Sequence, residues 1–318
     1  MIFLSNFKEY IKGLIEQKKA TGFPYVESQR NLKHFDDLCV EQYPKEKQLT
    51  RDIVMKWATL RPYEHVNTLV RRITPVRQLA KYMVSIGVEA YLIPEGIVAK
   101  RIHYVPYVYT RQELKTFFTS IDQCGHSSHA PAQHLVVPVI FRVLYCCGLR
   151  PSEVTGLKVE HVDLETGKLT IRKSKRNRDR NVMLSEDVLS VCRIYNQKVS
   201  SIFRDRLWFF PNFHGDQFNM SSLRSIFHRF WNKSCNNSVD RHHPRVYDFR
   251  HTYAVNLLNQ WVTENKDLNS YLPYLSMYLG HATLTETDYY LHLVPEFFPF
   301  LTARATERYA HLIPEVEQ

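Results

Sequence analysis

The chain has 318 residues, of which 42 are Lys or Arg and 32 are Asp or Glu, so its formal net charge is +10. This length exceeds what one hydrophobic core usually supports and predicts two domains. The positive charge indicates a polyanionic partner, nucleic acid first; the alternative is a soluble protein with a solvated cationic surface.

Several classes of protein are disfavoured by what the chain lacks. No apolar run approaches the roughly 20 residues that span a bilayer, and residues 1–8 lack the apolar core of a signal peptide. We therefore expect a cytoplasmic protein without membrane association. The six cysteines include no Cys-x-x-Cys pair, and Cys146 and Cys147 are neighbours in an apolar run. This pattern predicts buried thiols in a reducing compartment, neither a disulfide framework nor a zinc site.

The first hundred residues have the apolar spacing of helices with short polar breaks. Helices are predicted near the N-terminus and over residues 26–43, 50–60 and 66–87, where Pro75 could interrupt the last one. That last segment carries a set of basic residues interpreted as its outer face: Arg71, Arg72, Arg77 and Lys81. Such a helical bundle, residues 1–97, could lie along DNA, although basic residues on a helix are more often simply solvated.

Residues 98–108 are predicted to be a linker to a second domain, residues 109–318. Its first helix should begin at the capping box that Thr110 and Glu113 form. An apolar helix over 132–147 ends at Gly148, where a left-handed residue commonly closes a helix. Short strands are predicted over 168–172 and 181–184, and further helices over 185–200, 221–233, 248–261, 268–279 and 283–292. The predicted fold is mainly α, with one small antiparallel sheet.

Residues suited to phosphodiester chemistry are spread over this second domain. Arg150 lies in Gly-Leu-Arg-Pro-Ser-Glu, Arg250 in Tyr-Asp-Phe-Arg-His-Thr-Tyr, and His281 in Leu-Gly-His, nine residues before Tyr290. Two guanidinium groups could clamp a phosphodiester while a phenol oxygen attacks phosphorus. Taken alone, Arg150 could form a surface salt bridge with Glu153, and His281 a structural contact. Their combination favours one pocket.

The order of these motifs resembles the phage-integrase family of tyrosine recombinases, including the Xer-like enzymes of bacteria and mobile elements. The resemblance covers essentially the whole chain and is strongest over 145–157 and 246–292. It implies the fold of DNA breaking-rejoining enzymes, with a core-DNA-binding domain before the catalytic domain. It also implies a site-specific recombinase or integrase that acts through a 3′-phosphotyrosyl intermediate. No cofactor, metal or ATP is expected, and the sequence has no Gly-x-x-x-x-Gly-Lys-Ser/Thr loop.

The resemblance assigns roles to individual residues. Tyr290 is the expected nucleophile, while Arg150, Arg250 and His281 would stabilise charge on the phosphate oxygens. The family places a catalytic lysine at a hairpin tip, which selects Lys175 as the general acid, with Lys173 the next choice. The rest of this basic turn would contact DNA, and the expected contacts are Lys173, Arg176 and Arg178.

Tyr247 departs from the family's pattern, which most often has histidine three residues before the second arginine. A histidine accepts a proton near neutral pH, whereas an ordinary tyrosine does not. Tyr247 could still donate a hydrogen bond to a phosphate oxygen, and His242 or His243 could approach from the preceding loop. His251 is interpreted as structural or as a secondary phosphate contact.

The resemblance also implies double-stranded DNA with inverted core sites as the partner, bound by a homotetramer. The aromatic-rich tail after residue 294 could dock on a neighbouring protomer or pack on its own domain. Two other functions remain open: a type IB topoisomerase that relaxes supercoils as a monomer, and a non-catalytic DNA-binding protein of the same fold. A general nuclease is disfavoured because the sequence lacks an acidic cluster suited to two metal ions.

Overall fold

The computed structural model describes residues 1–94, 96, 102, 104–172, 179–235 and 244–294. It divides the chain into two compact units, Met1–Val105 and Pro106–Gln318. The division falls inside the segment predicted as a linker, 98–108, much of which lies outside the described residues. Within the described ranges, the search for a helix long and apolar enough to cross a membrane finds none.

The first unit consists of four helices around its own apolar core. They are α1 (Lys8–Ala20), α2 (Val26–Gln42), α3 (Arg51–Trp57) and α4 (Val66–Ser85). The prediction of a helical bundle here is confirmed. Pro75 does not interrupt α4, because buried residues on both sides of it, Ile73 and Val76, hold the helix against the core.

Arg72 requires a correction to the predicted basic face of α4. Its side chain lies on the inner face of the helix, in helical register with Leu69 and Val76, and is only 4% exposed. The guanidinium pairs with both carboxylate oxygens of Glu64, at 2.7 and 2.8 Å, and donates to the backbone carbonyl of Trp57. Arg72 therefore stabilises the unit from within. Arg71 and Lys81 are exposed, as expected.

The second unit is mostly helical and contains one three-stranded antiparallel sheet of order β1-β2-β3, as the sequence predicts in outline. Its strands are β1 (Val162–Asp163), β2 (Lys168–Ile171) and β3 (Arg180–Met183), and β1 was not predicted. The helices are α5 (Arg111–Asp122), α6 (Gln133–Cys146), α7 (Pro151–Thr155), α8 (Glu186–Ile202), α9 (Met220–Ser234), α10 (Asp248–Thr263), α11 (Leu268–Leu279) and α12 (Thr285–Asp288).

The ends of these elements follow local sequence signals. Thr110 and Glu113 form the predicted capping box at the start of α5, each side chain accepting a hydrogen bond from the other's backbone. The final predicted helix is shorter than expected: α12 ends at Asp288 and a 3₁₀ segment, Tyr289–Leu293, follows. The cysteines are free, but Cys146 is exposed and so departs from the prediction of buried thiols.

Two apolar clusters in this unit hold the segments that carry Arg250 and Tyr290. The larger one contains Phe117, Phe141 and Phe249, so it anchors the start of α10. The smaller one packs α10 against α11 and includes Leu258 and Tyr290. Residues near the start of α10 and residues of the last 3₁₀ segment are thereby brought together.

Gly148 is needed where α6 turns into α7. Its φ is +57°, a left-handed conformation that L residues adopt at a cost of about 1–2 kcal/mol. A Cβ atom at this position would lie only 2.5 Å from Cδ1 of Tyr253. Both the backbone conformation and the close packing therefore require glycine.

We predict that Gly148→Ala lowers the free energy of unfolding by about 3 kcal/mol, the sum of left-handed strain and overpacking. Gly215→Ala is the matched control, since Gly215 has φ +90° but its Cβ would meet Phe203 at 3.3 Å. The control should lose only about 1–2 kcal/mol. Urea denaturation measures both, and equal losses would show that the contact with Tyr253 is unimportant.

Candidate active site

Arg250 is the most deeply buried charge of the second unit's candidate residues, with 0% of its surface exposed. It lies in the first turn of α10, and its guanidinium donates to the carbonyl oxygens of Gly148, at 2.9 Å, and Leu279, at 2.5 Å. Burial and the nearby Arg150 cation lower the pKa of Arg250. Its buried Nε atom has no hydrogen-bond partner among the described residues. The environment of Arg250 therefore favours an additional anion.

The carboxylate of Asp248, two residues before Arg250, binds a different arginine. It accepts hydrogen bonds from the backbone and side chain of Arg245, with a shortest distance of 2.7 Å. Neutral carbonyl groups hold Arg250 instead, so its positive charge is not cancelled by a carboxylate in direct contact.

Arg150 immediately precedes α7 and forms a buried ion pair with Glu153. Its guanidinium lies 2.7 Å from a Glu153 oxygen and 2.9 Å from the carbonyl oxygen of Gly280. The side chains of this pair are 10% and 4% exposed, so the surface salt bridge considered from the sequence is excluded. Glu153 thus holds the guanidinium of Arg150 beside the end of α11.

Arg180, which no sequence motif singles out, also binds Glu153. From β3 it binds both oxygens of Glu153, at 2.9 and 2.8 Å, and donates from Nε to the carbonyl oxygen of Tyr278 at 2.6 Å. Burial acts to raise the pKa of Glu153, but the hydrogen bonds and charges of Arg180 and Arg150 outweigh it and lower that pKa to about 2.

The end of α11 binds both candidate catalytic arginines, Arg150 and Arg250, next to His281. Leu279 and Gly280 supply the carbonyl groups that bind Arg250 and Arg150. Gly280 has φ +67°, and its own Cβ would lie 2.9 Å from the Arg180 guanidinium, which explains the glycine of the Leu-Gly-His motif. His281 itself is 8% exposed.

Tyr290 is buried near the Arg150 and Arg250 cations, with only 3% of its surface exposed. Its ring is 6.0 Å from the ring of His281 and nearly parallel to it. Its phenol oxygen is 3.1 Å from Nδ1 of His251. Burial raises the pKa of Tyr290 to about 12, with Arg250 and Arg150 opposing the rise. The phenol is therefore protonated at neutral pH. Tyr289 is partly exposed, and its ring meets that of Tyr290 edge-on, with the ring centres 6.2 Å apart.

Tyr247 and His251 lie one turn apart at the start of α10, with ring centres separated by 5.0 Å. The interpretation of His251 as structural or as a secondary phosphate contact did not include its contact with Tyr290. The spacing of four residues between Tyr247 and His251 was the available signal, because it places both on one helix face.

Some predicted residues lie outside the described residues. They are Lys173, Lys175, Arg176, Arg178, His242, His243 and the tail after residue 294. Among the side chains that the structure does describe, no group of three or more His, Cys, Asp or Glu is arranged to hold a metal ion.

Comparison with known proteins assigns the family of this chain. Residues 109–296 match the model of the phage integrase family, which covers more than half of the chain. The chain belongs to the phage integrase family, and it is thus a tyrosine recombinase, a class of enzyme that carries out site-specific DNA recombination.

Relatives and solved structures agree with this assignment. A putative integrase/recombinase of Sinorhizobium fredii, y4rB, is 24% identical over 92% of this chain and 95% of its own length. Tyrosine recombinase XerC of Staphylococcus saprophyticus is 23% identical over 71% of each chain. XerH bound to its difH substrate has the same fold, with a TM-score of 0.64 and 18% identity over 88% of this chain and 78% of that one.

We predict that Glu153 makes stability depend on pH in the acidic range. A carboxyl group with a pKa of 4.5 when unfolded and about 2 when folded stabilises the native state above pH 4.5. That contribution, on the order of 3 kcal/mol, is lost as the pH falls toward 2. Urea unfolding from pH 6 to pH 3 should show this loss in the wild type.

The control for this measurement is Glu165→Gln, which removes an exposed carboxylate from the same unit. It should keep the wild-type pH dependence. Glu153→Gln should be less stable at pH 6 and show a flatter profile below pH 5. If Glu153→Gln keeps the full acid dependence, the stabilising role of the carboxylate is wrong.

Proposed function

We propose that this chain is a site-specific DNA recombinase in which Tyr290 forms a transient covalent bond with DNA. The observation that supports this most strongly is the position of the Tyr290 phenol, buried next to Arg250, Arg150 and His281, which three distant segments supply. Guanidinium groups held by fixed carbonyl and carboxylate partners are preorganised donors for the oxygens of a phosphodiester.

The proposed reaction begins when the Tyr290 oxygen attacks phosphorus. A bond forms between this oxygen and phosphorus, and the bond from phosphorus to the 5′ oxygen breaks, leaving a 3′-phosphotyrosyl link. Arg150, Arg250 and His281 stabilise the negative charge that builds on the non-bridging oxygens. Lys175 donates the proton that the departing 5′ oxygen requires. Attack by the 5′-hydroxyl of a partner strand then reverses these steps.

The proposed reaction needs no external energy source. The phosphotyrosyl ester replaces one phosphodiester by another, so the energy of the broken bond is retained for rejoining. The cations of Arg150 and Arg250 supply the charge stabilisation that a metal ion provides in other phosphoryl-transfer enzymes.

Bound DNA is proposed to activate the nucleophile. In the free protein burial keeps the pKa of Tyr290 near 12, so the phenol is a weak nucleophile. A phosphate that binds Arg250 Nε places the electrophilic phosphorus next to the phenol, and the developing bond makes the phenolic proton more acidic.

The first unit is proposed to hold the DNA through the exposed basic residues of α4. Arg71 and Lys81 are exposed and Arg77 is partly exposed, so each can reach a phosphate. Lys173, Arg176 and Arg178 of the hairpin turn are proposed to add contacts from the second unit. Arg72 is omitted from this set because it is buried against Glu64.

A tetramer on a pair of inverted core sites is the assembly proposed for this chain. Strand exchange between two duplexes requires several active sites at once. Among proteins of the same fold, a lambda integrase tetramer is bound to a Holliday junction, and XerH is bound to a palindromic substrate. The cytoplasmic location expected from the sequence stays a prediction.

We predict that Tyr290→Phe abolishes the covalent adduct while leaving DNA binding intact, because only the nucleophilic oxygen is removed. Tyr289→Phe is the matched control and should form the adduct at the wild-type rate. The assay uses nicked duplexes cut from the DNA that flanks the coding region, and it detects protein–DNA adducts that survive SDS. An adduct in Tyr290→Phe would contradict the assignment of the nucleophile.

The same DNA, placed twice on one plasmid, separates recombination from the competing functions. Recombinant products that require Tyr290 support the proposal. Relaxed plasmid without recombinants would indicate topoisomerase activity, and bound DNA without any adduct would indicate a non-catalytic DNA-binding protein.

We also predict that Arg71→Gln and Arg72→Gln have different effects. Arg71→Gln should weaken binding to a fluorescent duplex of unrelated sequence and reduce the slope of log affinity against log salt by about 0.9, the value for one phosphate contact. Arg72→Gln should instead destabilise the first unit by about 3 kcal/mol, because the Glu64 carboxylate, whose side chain is 8% exposed, loses the guanidinium that binds both of its oxygens. Salt titrations and thermal unfolding measure the two effects, and an unchanged salt slope in Arg71→Gln would remove this contact.

A further inference from the structure

His251 makes a direct contact with Tyr290, the proposed nucleophile. The family's motif does not predict this contact. The Nδ1 atom of His251 is 3.1 Å from the Tyr290 phenol oxygen, and their ring centres are 5.5 Å apart. The contact joins the first turn of α10 to the 3₁₀ segment that carries Tyr290. His251 is largely buried, so water does not compete freely for this hydrogen bond.

The surroundings of His251 indicate which ring nitrogen carries the proton. Nε2 faces the buried Asp248 carboxylate, 4.0 Å from Oδ1, so an N–H group is favoured on that side. Nδ1 is then left with its lone pair and accepts the hydrogen bond that the phenol donates. At 4.0 Å this carboxylate is beyond hydrogen-bond distance, and its oxygens accept hydrogen bonds from Arg245, so Asp248 acts on the imidazole through its charge.

Tyr247 gives this arrangement its significance. The family most often has a histidine at this position. An ordinary tyrosine cannot accept a proton at neutral pH, so position 247 supplies no proton acceptor. His251 lies one helical turn further along α10, and its ring is 5.0 Å from that of Tyr247. It therefore offers an imidazole to the same region from a different backbone position.

We propose that His251 accepts the proton of Tyr290 on Nδ1 during attack on DNA, replacing the histidine that Tyr247 displaces. The inference rests on the proposed function, since it assumes that Tyr290 attacks phosphorus. As the bond between oxygen and phosphorus forms, the phenolic proton moves to Nδ1 and the positive imidazole is held beside Asp248. The electron pair of the broken bond leaves with the 5′ oxygen. When the strand is rejoined, the proton returns to Tyr290.

Charged groups around His251 explain why transfer waits for DNA. Facing it are the Arg245 and Arg250 cations, the Asp248 carboxylate, and the phenols of Tyr247 and Tyr290. Burial, followed by the charges of Arg245 and Arg250, lowers the pKa of His251 to about 3, so the imidazole is neutral in the free protein. A phosphate bound at Arg250 offsets that cation and makes His251 a stronger base.

The test measures single-turnover adduct formation on the nicked flanking DNA. His251→Asn keeps an oxygen acceptor near the position of Nδ1 but cannot take up a proton, so adduct formation should slow by about 100-fold. The matched control is His292→Asn, which changes an exposed histidine of the 3₁₀ segment that carries Tyr290 and should keep the wild-type rate. Thermal unfolding verifies that both variants are folded.

Two rescue experiments separate a proton acceptor from a structural residue. Added imidazole should accelerate His251→Ala, and the rescued rate should rise with pH as the added imidazole loses its proton. Tyr247→His, combined with His251→Asn, should recover about 10-fold of the lost rate by returning a base to the other position. Neither treatment repairs a packing defect. Recovery by either route supports the proposal.

The proposal is overturned if His251→Asn reacts at the wild-type rate, or if it is slow and both rescues fail. These results differ from failure of the proposed function itself. In that case the wild-type protein forms no adduct that depends on Tyr290, whatever residue stands at position 251.

Discussion

The buried guanidinium of Arg250 is the constraint on which the rest of the second unit depends. It joins the turn at Gly148 to the end of α11 through two carbonyl groups, without a carboxylate in contact to cancel its charge. Leaving a buried cation without these partners costs several kcal/mol, so the two segments are held together at this point. The same uncancelled charge makes the site attractive to a phosphate.

Arg150 and Arg180, the other two cations of this group, differ from Arg250 because they share a carboxylate. Glu153 neutralises much of the charge of Arg150 and Arg180, which allows three guanidinium groups to gather in a small volume. Arg180 acts on the carboxylate and on the backbone of α11, so it positions other groups. Arg150 binds Glu153 through one terminal nitrogen and the Gly280 carbonyl through the other, and a guanidinium has five N–H donors, so others remain for a ligand. Stability and reactivity are thus supplied by different members of one network.

Much of this arrangement could be predicted from local patterns, and the missing parts share a physical cause. Helical spacing predicted the helices, and the turn at Gly148 followed from its position after an apolar run. The role of Arg180 and the contact of His251 with Tyr290 were not identified because the partners are distant in sequence, and no local pattern encodes such contacts. Arg72 was misplaced because its charge was given more weight than its register with Leu69 and Val76. Arginine is rarely buried unless it is paired, and the helical pattern did not indicate its partner Glu64.

The protonated, buried phenol of Tyr290 resolves a conflict between stability and reactivity. A permanent phenolate beside two arginines would bind them tightly and would compete with DNA for the same donors. Keeping the proton on the phenol leaves those donors available until a phosphate arrives. Under the proposed mechanism, covalent chemistry is then restricted to the complex, where the negative charge, the phosphorus atom and a proton acceptor are present together. For an enzyme that cuts DNA, this restriction protects the substrate as much as it controls the rate.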